Sequence, residues 1–489
     1  MTSAVRGRPV LCCAGVGTAG SVLVAAGGRF TGALPPGDPD GVWGTPAPTL
    51  VPLGNALAYA GLVLLAAAWW RLGRLLRDGA ALDGRRQWAL LCCWALPLLP
   101  VPLMYSSDVY SYVAQGALAG RGMPVYALGP AALGGPLLAG IPAMWHHTPA
   151  PYGPLFIVVA RTVVAVTGER HVVAAVLGIR AVAVLGLGLM AWSVRALAAR
   201  SGAGTAGAWW AGVLNPLVLT HFVAGAHNDA LMLGLTTAGL VAFRRGRWVL
   251  GTVVLTLAVL VKVPSVVALL CAAAVAVAER GSGRARARRA AGITAVFAGT
   301  LVAGVALCGQ GWGWLPALRT PAQATTALSL STDAGQLLAW GVELVSGHPA
   351  SAAVPAARAA VMLLGLYGVA HWVRRAPRSG PEYATGMALL GVVACAPALQ
   401  PWYPLWGAVP LAAVAWRLLY RPEAEAVMAV LLLSVMPSGL GPGRLDVLAA
   451  CAGGLPVLAA VTVWLARERT TAGGPMPTEP RPRLPSAGG

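Results

Sequence analysis

The sequence predicts an all-α polytopic membrane protein, on three observations. Hydrophobic residues make up 57% of the 489 residues and charged ones only 10%, where a soluble globular chain carries about 25% charged residues. Mean hydropathy is +0.70. Apolar runs that reach or approach the roughly 20 residues needed to span a bilayer recur about fourteen times, with arginine clusters between them. The expected fold is therefore a bundle of about 12–14 transmembrane helices.

The runs lie at 10–27, 50–70, 88–104, 173–194, 205–222, 229–243, 248–262, 264–279, 290–309, 353–373, 384–399, 404–420, 424–440 and 445–466. Arg6 and Arg8 precede the first, which reads either as a membrane helix or as a signal sequence. Residues 1–104 thus form an N-terminal group of membrane helices, 105–172 a large loop, and 173–466 the main bundle. From Arg467 the chain turns to Pro, Gly, Arg and Thr without apolar periodicity, the composition of a disordered tail, placed in the cytoplasm. The eight cysteines sit almost wholly in apolar runs, none in a CxxC. They read as small hydrophobes, with no disulfide framework and no metal site.

Residues 152–168 decide the sidedness. They are apolar but interrupted by Arg161, and a crossing there would invert every later loop. With that segment laid in the interface and the N-terminus inside, the inner loops collect Arg71, Arg74, Arg77, Arg85, Arg86, Arg195, Arg200, Arg244, Arg245, Arg247, Arg280, Arg284, Arg286, Arg288, Arg289, Arg374, Arg375, Arg378, Arg417 and Arg421. With Arg6, Arg8 and four tail arginines these are 26 of the 35 basic residues, which satisfies the positive-inside rule. The net charge of +19 then orients helices, and no nucleic-acid patch is left.

The outer segments hold the unusual chemistry. YSSDVYSYVAQG places Asp108 directly after a membrane run, beside Tyr105, Tyr112 and Gln115. Asp108 either caps a short helix running to Gly120 or marks a site, since a carboxylate at the membrane edge is costly to keep. WHHTPAPYGP brings His146, His147 and Tyr152. The histidine pair has no further ligand at metal spacing, whereas aromatic faces with polar neighbours suit a sugar ring. His227, Asn228 and Asp229 open the run at 229–243, as a helix cap or as binding groups. Gln400, Trp402 and Tyr403 lie in QPWYPLW, an interfacial aromatic belt or a binding turn. Lys262 is the only lysine of the chain. A compact cation held between two apolar runs suits a phosphate, the alternative being a snorkelling side chain at a helix end. Arg180 and Arg358 are further candidates for the phosphate.

Taken together, YSSDVYSY, GMPVY, TPAPYGPLF, GAHNDALML, the Lys262 junction and QPWYPLW resemble the actinobacterial polyprenyl-phosphomannose-dependent α-1,6-mannosyltransferases. The resemblance covers nearly all of residues 50–466. It implies a GT-C glycosyltransferase whose first large outer loop carries the catalytic acid residue on interfacial helices. It further implies that Asp108 deprotonates an acceptor mannose 6-hydroxyl, that Lys262 with Arg180 or Arg358 holds the donor phosphate, and that His227, Asn228 and Asp229 contact sugar, with Asp229 a reserve base. The implied partners are the cell membrane, polyprenyl-phosphate-mannose and a mannan or lipoglycan acceptor outside, with no cofactor or metal. Two alternatives stay open: transfer of another sugar or to another acceptor, such as arabinosyl or protein O-mannosyl transfer, and a transporter or flippase, for which the expected midplane charges and internal repeat are not evident.

Overall fold

The computed structural model describes residues 3–35, 41–320 and 329–472. Among them the chain is helical without a strand, apart from one isolated bridge between Ala33 and Leu103. Seventeen helices of eight or more residues follow in order: α1 (Ser3–Thr31), α2 (Val51–Arg77), α3 (Gly84–Ala95), α4 (Asp108–Gly120), α5 (Pro154–Thr167), α6 (Val172–Ser201), α7 (Thr205–Gly212), α8 (Asp229–Arg244), α9 (Trp248–Val261), α10 (Val266–Ala278), α11 (Gly283–Cys308), α12 (Leu330–Ser346), α13 (Ala353–Ser379), α14 (Pro381–Ala394), α15 (Leu405–Ala415), α16 (Pro422–Leu433) and α17 (Arg444–Ala472). Six are long and apolar enough to cross a membrane: α1, α2, α6, α11, α13 and α17. The protein is an all-α polytopic membrane protein.

Several runs that read as single spans are shorter or broken, and prolines explain where. The run at 88–104 is helical only to Ala95, because Pro97, Pro100 and Pro102 lack the N–H a continuing helix needs. Its freed carbonyls are taken by Arg180 on α6, whose guanidinium donates to Leu99, Val101, Pro102 and Ala224 at 2.6–3.3 Å. Arg180 is buried and spends its charge on backbone, so its expected place at a donor phosphate is corrected to a fastening of two unwound segments. Arg180→Lys is expected to leave carbonyls without partners, at about 1–3 kcal/mol each, and to lower the thermal unfolding midpoint in a fixed bilayer.

The run at 205–222 is likewise split. Asn215 accepts from the Leu217 amide ahead of Pro216, and a π-turn follows over Leu219–Ala224. The run at 424–440 stops at Leu433 before Pro437, and the Tyr59 hydroxyl donates toward the carbonyls of Leu433 and Val435 at 3.2 and 3.3 Å. Within 311–352, expected as a long loop, the chain forms the 17-residue helix α12. The tail expected to be disordered from Arg467 continues α17 to Ala472; the rest of it lies outside the described residues.

Helix α5 has 14 residues, about 21 Å against a hydrocarbon core of about 30 Å. Arg161, which interrupts its sequence, donates to the carbonyls of Leu307 and Cys308 at the end of α11, where a cation complements the helix dipole. Helices α4 and α5 cross closely at Gly116, where any side chain would strike the Ala160 carbonyl. Gly153, just before α5, presses on Leu260 of α9 and donates its amide to Val261 at 3.1 Å. That contact sets Tyr152 beside Lys262. Gly153→Val is expected to force the two apart, costing about 1–3 kcal/mol as overpacking, readable as a lowered thermal unfolding midpoint.

Candidate active site

Two strained turns frame the site. Among the described residues only Tyr105 (φ 63°) and Ala226 (φ 52°) are non-glycines with positive φ; one lies three residues before Asp108, the other directly before His227. Such backbone persists only where surroundings over-determine it. Here the Tyr105 amide is held by the Pro437 carbonyl at 2.8 Å and the His227 amide by that of His221 at 3.1 Å.

Helix α4 forms as its sequence predicts, but Asp108 does not cap it. Ser107 occupies the cap position without a side-chain bond, and the Asp108 amide donates to Ser106 Oγ at 3.1 Å. The carboxylate instead lines a cleft that is partly open to solvent. Of the expected residues, Gln115, Tyr152, Lys262, Gln400 and Tyr403 line the same cleft. Burial pushes the Asp108 carboxyl up to about 6, with Lys262 pulling the other way.

A buried layer supports this wall. The His227 ring stacks on Trp402 at 3.7 Å between centroids. Its Nδ1 lies 3.4 Å from the Tyr112 hydroxyl and 3.7 Å from Asp108 Oδ2. Burial holds this imidazole well below its usual pKa. Tyr112 packs edge-on against Tyr152 and Phe156.

Asp229 opens α8 fully buried, yet its carboxylate is not free to act as a base. Its oxygens accept from Lys262 Nζ at 2.9 and 3.0 Å, from Trp402 Nε1 at 3.2 Å and from Trp406 Nε1 at 2.6 Å. Lys262 also sits 5.0 Å from the Tyr403 ring and 5.2 Å from that of Trp406. The reserve-base expectation for Asp229 is therefore replaced by a junction of three segments: the start of α8, the break between α9 and α10, and the 400–406 turn. Asn228 is buried beside it with both side-chain polar atoms unpartnered.

Five expected residues are not brought to the cleft. His146 is engaged with the Ile141 carbonyl at 2.9 Å, and His147 is exposed. Arg180 fastens backbone as described, and Arg358 on α13 donates to Thr332 Oγ1 at 3.0 Å. Tyr105 is buried behind the wall, edge-on to His221. Their places are taken by Trp145, one of the aromatics of WHHTPAPYGP, and by residues not singled out in the sequence: Ser111, Thr148, Pro149, Pro151, Thr320 and Ala398. Four of these flank the histidine pair in WHHTPAPYG, and Ser111 lies one helical turn after Asp108; Thr320 carries no local signal. Among the described residues no group of three His, Cys, Asp or Glu side chains is arranged to hold a metal ion.

The arrangement offers one carboxylate of raised pKa, one cation on the same cleft and an aromatic, hydroxyl-bearing lining. Residues 14–279 match the family model for the alpha-(1->6)-mannopyranosyltransferase N-terminal domain, and residues 331–466 that for the MptB C-terminal domain. The chain is 33% identical to a Mycobacterium tuberculosis alpha-(1->6)-mannopyranosyltransferase, with 86% of this chain and 81% of the relative covered. It is 34% identical to alpha-(1->6)-mannopyranosyltransferase A of the same organism, covering 88% and 83%. With alpha-(1->6)-mannopyranosyltransferase B of Corynebacterium glutamicum it shares 29% identity over 87% and 76%. The chain thus belongs to the alpha-(1->6)-mannopyranosyltransferase family of membrane glycosyltransferases.

Proposed function

We propose that the cleft moves mannose from a polyprenyl-phosphate carrier to the 6-hydroxyl of a mannoside acceptor, in one inverting displacement on the outer face of the membrane. The observation that carries this reading is the sharing of one cleft by Asp108 and Lys262. The acceptor oxygen bonds to the anomeric carbon as the bond from that carbon to the phosphate oxygen breaks. The hydroxyl proton goes to Asp108 and the bonding pair leaves with the phosphate. A β-linked donor then gives an α-1,6 product. The leaving phosphate gains negative charge, which a cation already in place stabilises without a proton. Lys262 meets that need while Asp229 keeps it oriented. Tyr152, Tyr403 and Trp145 offer ring faces to a sugar, with Gln115 and Gln400 as hydroxyl partners.

The outward orientation is supported by the arginine distribution and by the donor chemistry: a lipid carrier is the form in which an activated sugar is available outside. The reaction as proposed uses no cofactor or metal of its own. Membranes holding the protein, given radiolabelled polyprenyl-phosphomannose and an α-linked oligomannoside, are expected to yield an acceptor longer by one or more α-1,6-mannose units. Label that enters vesicles without a covalent product would overturn the reading in favour of transport. Product formed only from an arabinosyl donor, or only on protein, would overturn the sugar or the acceptor.

A further inference from the structure

Helix α12 occupies a stretch whose sequence reads as loop, and among the described residues it leaves apolar side chains exposed. Gln336, Glu343 and Ser346 recur at helical spacing along one strip. Leu337, Leu338, Leu344 and Val345 occupy other faces, Trp340 sits between Gln336 and Glu343, and all five are exposed, Leu344 to 71% and Val345 to 88%. Large exposed apolar side chains clustered on one short helix mark a surface that contacts something other than water.

The root of α12, by contrast, is tightly held. Ser329 caps the helix and donates toward the carbonyls of Ala396 and Pro397 at 3.1 and 2.8 Å; Thr332 adds a bond to Pro397 at 2.9 Å. Gly335 packs on Val354 of α13. The strand of chain so gripped runs directly into Ala398 and Gln400, which line the cleft with Asp108. Helix α13 is itself long and apolar enough to cross a membrane, and it carries its own exposed apolar row at Leu363, Leu364, Leu366 and Tyr367.

We infer that α12 lies in the membrane leaflet on the cleft side, its Leu337–Leu344 face in the hydrocarbon, and that it braces the cleft rim against the bilayer. Lipid chains are the occupant because the apolar face springs from the first turns of a membrane-crossing helix and continues its kind of surface. At 17 residues, about 25 Å, the helix is shorter than the hydrocarbon core of about 30 Å and lies along the leaflet. Its only charged residues are Asp333 and Glu343, so apolar burial holds it there and anionic headgroups are not required. The link from this brace to the lipid-borne donor rests on the proposed reaction; the seating itself does not.

The test uses the full chain in nanodiscs of phosphatidylcholine alone, labelled at Leu344→Cys with an environment-sensitive fluorophore. The unsubstituted protein labelled in parallel supplies the background of native cysteines. Lipids brominated along the chains are expected to quench the probe by at least about twofold, with aqueous iodide far less effective, and the order is expected to reverse at Glu343→Cys. Iodide quenching both positions alike would overturn the seating, as would a Leu344 probe shielded from both quenchers, which would mean a protein partner such as a second copy. These readings involve no sugar transfer, so their failure and failure of the proposed reaction register separately. For the brace, Leu337→Gln with Leu344→Gln is expected to raise the KM for a polyprenyl-linked donor about tenfold with the acceptor KM unchanged. An unchanged donor KM would overturn the brace.

Discussion

Asp108→Asn is expected to abolish detectable mannose transfer while the protein remains folded and inserted. The substitution keeps the size and shape of the side chain and removes only its capacity to take a proton. A positioned general base is worth about 10²–10⁴ in rate, and the carboxylate of Asp229 is not free to stand in, because both its oxygens are occupied by Lys262, Trp402 and Trp406. The wild-type rate has a matching pH signature. With the Asp108 carboxyl at about 6, the reactive deprotonated form predominates above that pH, and turnover is expected to fall about tenfold per unit below it. The stability effect has the opposite sense. A carboxyl whose pKa rises on folding binds its proton more tightly in the folded chain, so its contribution to stability falls as pH climbs from the ordinary carboxylate range through about 6. Asp108→Asn should therefore be at least as stable as wild type at neutral pH. Thermal unfolding alongside the transfer assay checks both. Turnover near wild type, or a loss explained by unfolding, would remove Asp108 from the role of base.

What the sequence made legible follows from which forces are local. The apolar runs and the helix from Asp108 to Gly120 depend on neighbours in the chain, so pattern alone reaches them. The interruption of 88–104 was equally legible in its three prolines, and hydropathy averaging concealed it. Polar residues in apolar surroundings pointed to Asp108, Lys262, Asp229 and the 400–406 turn, because burying such groups is expensive without a purpose. What that argument cannot supply is the partner. Arg180 satisfies it with four backbone carbonyls and Asp229 with one lysine and two indoles drawn from more than 30 and 170 residues away. The histidine pair stood out by residue type, while Trp145, Thr148 and the prolines around it reach the cleft. Which side of a turn faces a cavity is decided by packing across the whole bundle. Helix α12 went unread because its run is short and carries Asp333 and Glu343.

The second large effect is expected at the Asp229–Lys262 pair, and a cycle of substitutions separates its two duties. Asp229→Ala strips an ammonium and two buried indole N–H groups of their acceptor at once. Breaking a buried ion pair from one side costs about 3–5 kcal/mol, enough to unfold many marginal proteins. Asp229→Asn keeps the shape and one acceptor oxygen but leaves Lys262 uncompensated, so it should be milder in stability. Lys262→Met keeps an unbranched aliphatic stem, removes the ammonium that lies 5.0 and 5.2 Å from the rings of Tyr403 and Trp406, and leaves the carboxylate to the two tryptophans. If Asp229 positions and Lys262 stabilises the leaving phosphate, the double variant Asp229→Asn, Lys262→Met regains much of the stability lost by the single variants, since no unpaired charge remains. It regains none of the turnover, because the cation facing the donor is gone, and a loss of about 10²–10³ in kcat persists. Recovery of both together would mean that the pair is purely structural. Recovery of neither would mean that the stability lost by the single variants does not come from an unpaired charge.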